Sequence, residues 1–108
     1  MPASLPTSDP ALAIVTGAGS PSGIGFATGR ALAGAGFAVL LTGLTDRVFE
    51  RSAELAAAGY RCFAFAGDLA DETVVRALAA QAHATGLPVA ALVNNAGFSL
   101  HEAVTEAA

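Results

Sequence analysis

Short apolar runs alternate with longer segments of mixed polarity along the chain, which is the pattern of an α/β protein. Four runs have the length and continuity of buried strands: residues 11–16 (ALAIVT), 37–42 (FAVLLT), 61–66 (RCFAFA) and 89–93 (VAALV). A strand that is apolar on both faces must be covered on both faces. The pattern therefore predicts an open parallel sheet between layers of helices.

The segments between these runs carry helix signals. Residues 23–35 are predicted to form the first helix, and its apolar stripe at helical spacing is expected to face the sheet. That stripe consists of Ile24, Ala27, Ala31 and Ala35. Glycines 34 and 36 end this helix, because glycine accepts the backbone conformation that follows a helix.

Two further helices are predicted between the later strands. The second begins at Thr45 or Asp46, either of which can cap it, and ends at Gly59. The third opens at Asp71 and ends near Gly86. The residues expected to face inward are Val48, Ser52 and Leu55 in the second helix, and Val74, Val75 and Leu78 in the third.

Strand and helix thus alternate, which implies right-handed crossovers between parallel strands. We expect a Rossmann-type doubly wound sheet with strand order 3-2-1-4, truncated after its fourth strand. Residues 1–10 hold three of the five prolines and are expected to be a flexible leader. Residues 11–108 are expected to form one partial domain.

Composition narrows the possible functions. The chain is 54% hydrophobic and 13% charged, which is too apolar for a disordered protein. Its net charge is −4 and its five basic residues, all arginine, are scattered, so no nucleic-acid-binding surface is expected. No apolar stretch approaches the roughly 20 residues of a membrane span. A single cysteine provides neither a disulfide framework nor a metal site, and we expect a cytoplasmic protein.

The junction between the first strand and the first helix is rich in glycine and serine (TGAGSPSGIG). Gly17 allows a tight turn directly after the strand, while Gly23 and Gly25 leave room for a ligand and for close packing of the helix. The unpaired N–H groups of a helix start suit a pyrophosphate, and Ser20 and Ser22 add hydroxyl donors. The alternative is an ordinary strand-to-helix turn.

Polar residues also follow the third and fourth strands. Asp68 follows the third strand, and Asn94, Asn95, Ala96 and Gly97 follow the fourth. The carboxyl ends of parallel strands face the ligand crevice. A carboxylate there can accept a hydrogen bond from adenine, and the amides can bridge strands and bind a ribose. The alternatives are a helix cap for Asp68 and a simple turn for the asparagines.

Taken in order, the run TG…GIG after the first strand, Asp68-Leu69 and the run NNAG resemble the short-chain dehydrogenase/reductase family. The resemblance covers residues 11–108. Within the family, the chain is most similar to the reductases that act on 3-oxoacyl groups. It implies NAD(P) as the cofactor. The loop between Gly17 and Gly23 holds five residues, where the family usually has three.

The resemblance also implies which residues touch the cofactor. Those near the pyrophosphate and adenosine are Gly17, Ser20, Ser22, Gly23, Ile24 and Gly25; those near the adenine are Asp68 and Leu69; those on the ribose side are Asn95, Ala96 and Gly97.

The end of the second strand bears on the choice between NAD and NADP. Users of NAD tend to carry an acidic residue there for the ribose 2′-hydroxyl, and users of NADP a basic one near the 2′-phosphate. Gly43 is not acidic, which counts against NAD; neither position 43 nor position 44 is basic, but Arg47 is close, which favours NADP. On this interpretation, Asp at position 43 should favour NADH.

The residues that perform the family's chemistry are not found here. The resemblance implies hydride transfer to a carbonyl or from an alcohol, with a Ser and a Tyr-x-x-x-Lys pair. The chain has no lysine, and the residue four positions after Tyr60 is Ala64. We therefore assign no catalytic residue and no metal ligand, and we interpret Cys62 as core packing.

The expected function is thus the cofactor-binding half of an oxidoreductase whose full-length form is a homo-oligomer. A non-catalytic nucleotide-binding module and a non-functional truncated remnant remain as alternatives.

Overall fold

The computed structural model describes residues 9–95, which form four strands and three helices in strict alternation. In chain order the elements are β1 (Leu12–Val15), α1 (Ile24–Gly34), β2 (Ala38–Gly43), α2 (Arg47–Ala57), β3 (Cys62–Ala66), α3 (Glu72–Ala84) and β4 (Val89–Val93). The four predicted strands are confirmed, with ends that differ from the predicted ones by one residue at most.

All four strands are parallel and lie in the order β3-β2-β1-β4, as predicted. In the centre of the sheet, Ile14 of β1 is in register with Leu40 of β2 and with Leu92 of β4. The first two crossovers step outward from β1 to β2 and β3, whereas the third returns to the other side of β1. The side of the sheet to which successive strands are added therefore reverses at β1, which places a topological switch point between β1 and β4.

Helices cover the sheet on both faces. Helices α1 and α2 pack on one face through a buried cluster that includes Val15, Phe26, Leu41 and Leu55. Helix α3 packs on the other face, where the buried cluster contains Leu12, Ile14, Ala38, Leu40, Leu78, Ala82 and Leu87. Because consecutive side chains of a strand point to opposite faces, the fully buried strands β1 and β2 supply both clusters.

The helix ends follow the local signals in the sequence. Gly36, Gly59 and Gly86 follow the three helices with φ values of +107°, +96° and +74°, a region that other residues rarely adopt. Asp71 caps α3, accepting a hydrogen bond from the Thr73 N–H at 2.8 Å. At the start of α2 the Thr45 hydroxyl, rather than the Asp46 carboxylate, accepts the Arg47 N–H at 3.4 Å.

The predicted inward stripe of α1 was wrong. Ile24 is 76% exposed, and the other three residues of that stripe are also exposed. The residues that α1 buries are Gly25, Phe26, Gly29 and Ala33. A Cβ at Gly29 would lie 2.6 Å from Leu41 Cδ2, so the helix approaches the sheet through its glycines. Three of these four buried residues are glycine or alanine, and a search for a stripe of apolar side chains overlooks the two glycines.

Strand β4 is the least covered strand in the described part of the chain. Val89 and Leu92 are 53% and 65% exposed. A groove of about 720 Å³ lies beside this strand, lined in part by Ile14, Leu87 and Val89. The opposite edge strand, β3, is partly shielded, because the Gln81 amide donates a 2.9 Å hydrogen bond to the Ala64 carbonyl.

Two smaller observations complete the fold. Asp9, inside the predicted leader, forms an exposed ion pair with Arg61 at 3.5 Å. None of the helices between residues 9 and 95 is long and apolar enough to cross a membrane.

Two glycine-to-alanine substitutions within α1 test the close approach of this helix to the sheet. We expect Gly29→Ala to lower the free energy of unfolding by about 1 kcal/mol, because overpacking at Leu41 costs about 1–3 kcal/mol and helix propensity returns about 1 kcal/mol. Gly34→Ala is the control, since its Cβ would meet only the Tyr60 hydroxyl at 3.8 Å. It should be neutral or stabilise by up to about 1 kcal/mol. Urea unfolding followed by circular dichroism measures both, and equal effects would contradict the close approach.

Candidate functional site

The polar and glycine-rich segments that follow the four strands meet at one edge of the sheet. The Ala18 N–H donates to the Thr42 carbonyl at 2.8 Å, which ties the segment after β1 to the end of β2. The Gly67 N–H donates to the Gly43 carbonyl at 2.9 Å, which ties the segment after β3 to β2 as well. These segments therefore form one continuous surface at the carboxyl edge of the sheet.

The start of α1 is open toward this edge. Gly17 turns the chain away from β1 with a φ of +67°, and Gly23 is the N-cap of the helix. Glycine offers no side chain to the first helical N–H groups, and the first turn holds no acidic residue. Neither the N-cap nor the first turn of α1 therefore supplies a side chain that neutralises the partial positive charge of the helix start, and an anion can bind there.

Gly25 sets how closely α1 approaches the strands. A Cβ at this position would overlap the Gly17 carbonyl oxygen and lie 2.8 Å from Asn95 Nδ2. The first turn of α1 thus rests directly on the backbone after β1 and on the side chain after β4. No residue larger than glycine fits without moving one of these groups.

The two serines predicted to face the ligand lie together in the loop. The Ser22 N–H donates to Ser20 Oγ at 3.4 Å, and the two hydroxyl oxygens are 3.5 Å apart. Ser20 Cβ would also lie 3.3 Å from a Cβ at Gly23. The five-residue segment between Gly17 and Gly23 is therefore a compact turn that keeps Ser22 exposed. The mostly exposed Ile24 follows it directly.

Thr16 and Asn95 connect the two strands at the switch point. The Asn95 N–H donates to Thr16 Oγ1 at 2.8 Å, and Asn95 Nδ2 donates to the Gly17 carbonyl at 3.3 Å. The Thr16 hydroxyl lies 3.3 Å from Asn94 Oδ1 and 3.4 Å from the Val93 carbonyl, either of which can accept its proton. The expected bridging of strands by these asparagines is thus present.

Sequence reasoning missed the role of Thr16. The signal in the sequence is a hydroxyl residue at the end of an otherwise apolar strand. In the structure Thr16 is 4% exposed. A buried hydroxyl needs partners, and the residues after β4 provide them. Ala96 and Gly97, which were predicted to line the ribose side, lie outside the described residues.

Asp68 and Leu69 follow β3 at the same edge. Asp68 Oδ1 accepts the Ala70 N–H at 2.9 Å, and its carbonyl accepts the Asp71 N–H at 3.1 Å. Asp68 therefore shapes the turn that leads into α3, while Asp71 is the helix cap. Asp68 is exposed, and Leu69 packs against the apolar cluster beneath α3.

Gly43 at the end of β2 is a packing residue. It is buried, and a Cβ there would lie 2.9 Å from Val48 Cβ and 3.5 Å from Gly19 Cα. An aspartate at position 43 would have to displace α2 or the glycine-rich loop. The expectation that aspartate at position 43 favours NADH stays a prediction, and such a side chain would have to be accommodated against Val48.

Arg47 supplies positive charge beside the same loop. It is exposed at the start of α2, and its Cβ lies 3.9 Å from the position of a Cβ at Gly19. The other four arginines make ion pairs or lie over the Phe26 ring. Within residues 9–95, Arg47 is the arginine whose side chain has no such partner.

Cys62 shows the features of a packing residue. It is half-buried, its thiol donates to the Phe63 carbonyl at 3.6 Å, and burial raises the pKa of the thiol. At neutral pH little thiolate is present, which is unfavourable for a nucleophile. Among residues 9–95 there is no cluster of three or more His, Cys, Asp or Glu that could hold a metal ion.

Comparisons with known proteins converge on one family. The family model described as short chain dehydrogenase matches residues 11–108. Oxidoreductase UcpA of Salmonella typhimurium is 36% identical over 85 residues, which are 79% of this chain and 32% of that protein. The chain thus spans about a third of the length of the curated relatives it matches.

Solved structures agree with this result. A single-site variant of actinorhodin polyketide ketoreductase with NADPH is 33% identical, with a TM-score of 0.78, over 87% of this chain and 36% of that one. A metagenomic short-chain oxidoreductase in complex with NADP is 34% identical, with a TM-score of 0.75, over 83% and 40%. The hydroxysteroid dehydrogenase of Escherichia coli is 32% identical, with a TM-score of 0.77, over 92% and 44%.

A pair of substitutions at Thr16 tests the connection between β1 and β4. Thr16→Val should lower the free energy of unfolding by about 1–3 kcal/mol, because the Asn95 N–H loses its acceptor. Thr16→Ser retains the oxygen and should cost less. Urea unfolding gives the free energies, and hydrogen exchange should show faster exchange of the Asn95 amide in the valine variant alone. Unchanged protection of that amide in Thr16→Val would contradict the assigned hydrogen bond.

Proposed function

Because the chain belongs to the short-chain dehydrogenase family, we propose that the carboxyl edge of its sheet binds NAD(P). The observation that carries this proposal is the start of α1, which lies at the switch point between β1 and β4 with no acidic residue in its first turn. Dinucleotides bind in the crevice at such a switch point, with the pyrophosphate at a helix N-terminus. Gly17 and Gly25 support it, because they bring the helix start close to the strand backbone.

Each residue predicted from the sequence has a proposed part in this site. Around the pyrophosphate and adenosine we place Gly17, Ser20, Ser22, Gly23, Ile24 and Gly25; beside the adenine, Asp68 and Leu69; on the ribose side, Asn95, Ala96 and Gly97. The hydrogen bonds of Asn95 to Thr16 and Gly17 support its placement, since they hold its side chain at the switch point.

The finer proposal is a preference for NADP. Arg47 is exposed beside the glycine-rich loop and has no ion-pair partner among the described residues, so its guanidinium can meet a 2′-phosphate. No acidic side chain stands at the end of β2 to accept a ribose 2′-hydroxyl, since that position is Gly43, which is packed against Val48. The relatives solved with NADPH and NADP are consistent with this preference.

For the whole protein we propose reversible hydride transfer between the cofactor and a carbonyl or alcohol, as in the family. The bound nicotinamide supplies or accepts the hydride. The family's Tyr-x-x-x-Lys pair is not among residues 1–108, which contain no lysine and a single tyrosine, so we propose that the proton donor lies outside them. Tyr60 lies just before β3, at the amino edge of the sheet and therefore opposite the site. The same observation favours a non-catalytic nucleotide-binding module as the second candidate.

Direct titration with NADPH tests the proposed site. The purified chain should bind NADPH, and Gly25→Ala should weaken binding at least tenfold, because the methyl group displaces the first turn of α1 from the Gly17 carbonyl. Gly34→Ala, at the far end of the same helix, is the matched control and should bind normally. Fluorescence of NADPH gives the affinities, and circular dichroism checks that both variants are folded. Absence of binding by the unaltered chain would overturn the proposal.

Substitution of Arg47 tests the preference for NADP. Arg47→Gln should weaken NADPH binding at least tenfold, equivalent to about 1.4 kcal/mol, with NADH affinity unchanged. Arg76→Gln is the control, since that exposed arginine pairs with Glu72 on α3. A parallel loss for both cofactors would show that Arg47 does not contact the 2′-phosphate. Separately, carbonyl-dependent loss of NADPH absorbance by the chain alone would contradict the external proton donor.

A further inference from the structure

Helix α2 buries a charged side chain against α1. The side chain of Arg51 is 8% exposed, and its guanidinium lies 2.6 Å from Glu54 Oε2 and 3.4 Å from Glu50 Oε1. Its Cζ is 5.8 Å from the centroid of the Phe26 ring. Its Nε is buried and has no hydrogen-bond partner among the described residues.

Stability alone does not explain an arginine at this place. A buried ion pair recovers its desolvation cost only when every donor is satisfied, and replacement by an apolar residue is often neutral or stabilising. Here one donor of Arg51 is unsatisfied, and its neighbours Val48 and Leu55 are buried apolar residues of the same helix face. A leucine or methionine would fit this pattern better.

The position of Arg51 suggests what the arginine contributes. Phe26 lies in the first turn of α1, directly after Gly25. A second arginine, Arg30, also lies over the Phe26 ring, with its Cζ 4.9 Å from the ring centroid. Arg51 is one helical turn after Arg47. Its contact with Phe26 therefore links the helix start proposed to bind the pyrophosphate with the helix start that carries Arg47.

We infer that Arg51 is a positioning residue that sets the distance between two anion sites. One site is the N-terminus of α1, and the other is the guanidinium of Arg47. The planar group of Arg51 lies against the Phe26 ring while Glu54 neutralises its charge, so the start of α2 is held against the start of α1. This inference rests on the proposed function. Arg51 is the residue that allows the pyrophosphate site and the 2′-phosphate site to bind one ligand together.

The inference has a specific thermodynamic consequence. In NADPH the pyrophosphate and the 2′-phosphate are attached to the same ribose, which limits the distance between them. Both groups therefore bind at once only if the two sites are correctly spaced. A ligand that reaches only one site does not depend on the spacing. Loss of Arg51 should therefore affect NADPH more than either fragment of it.

The experiment compares three probes on the same variants. NADPH spans both sites, ADP carries the pyrophosphate without the 2′-phosphate, and 2′-AMP carries the 2′-phosphate without the pyrophosphate. Arg51→Met should weaken NADPH binding at least tenfold while the affinities for ADP and 2′-AMP change less than twofold. Its melting temperature should be unchanged or higher. Calorimetry serves for NADPH, and chemical-shift titration serves for the weaker fragments.

Three further variants keep the test independent of folding. Arg51→Lys retains the charge and part of the contact, and should recover part of the NADPH affinity. Phe26→Leu removes the ring from the other side, and combining it with Arg51→Met should add little to the loss caused by either change alone. Arg76→Met, at an exposed ion pair on α3, is the matched control and should leave all three affinities unchanged.

The outcomes separate the two claims. If the unaltered chain binds none of the probes, the proposed function fails and the inference fails with it. If the unaltered chain binds NADPH but Arg51→Met binds all three probes normally, only the inference is overturned. Equal losses for NADPH and both fragments, with a lowered melting temperature, would show a purely structural role and would also overturn it.

Discussion

The close approach of α1 to the ends of β1 and β4 is the constraint on which the rest of the site depends. The first turn of the helix rests on the Gly17 carbonyl and on the Asn95 side chain, with room for no atom beyond the α-carbon of Gly25. Asn95 in turn is held by the Thr16 hydroxyl. Because the contact joins β1, α1 and β4, it places an open helix start at the topological switch point between β1 and β4.

Charged side chains near this contact have different surroundings. The first turn of α1 contains no acidic residue. None of the acidic residues that give the chain its net negative charge therefore lies within that turn. Arg47 is exposed beside the glycine-rich loop, whereas Arg51, one turn later, is buried against Phe26. Two arginines on one helix thus have different surroundings and different proposed roles.

The core also explains which parts of the site were predictable. The strands and the three polar segments after β1, β3 and β4 were predicted because parallel strands bring their carboxyl ends to one edge whatever their side chains are. The inward face of α1 was not, because Ile24 and three alanines outrank Gly25 and Gly29 in apolarity. Burial there is decided by how little space the sheet leaves, and the position of Leu41 determines that space.

The sequence by itself determined the alternation of strands and helices, the helix ends at three glycines, the strand order and the family resemblance, since each depends on local pattern or on general rules of chain connection. Only the tertiary structure decided that Gly43 is a packing residue, that Thr16 joins two strands, and that Arg51 is buried while Arg47 is exposed. These depend on the separation and rotation of packed elements, and residues distant in sequence set both.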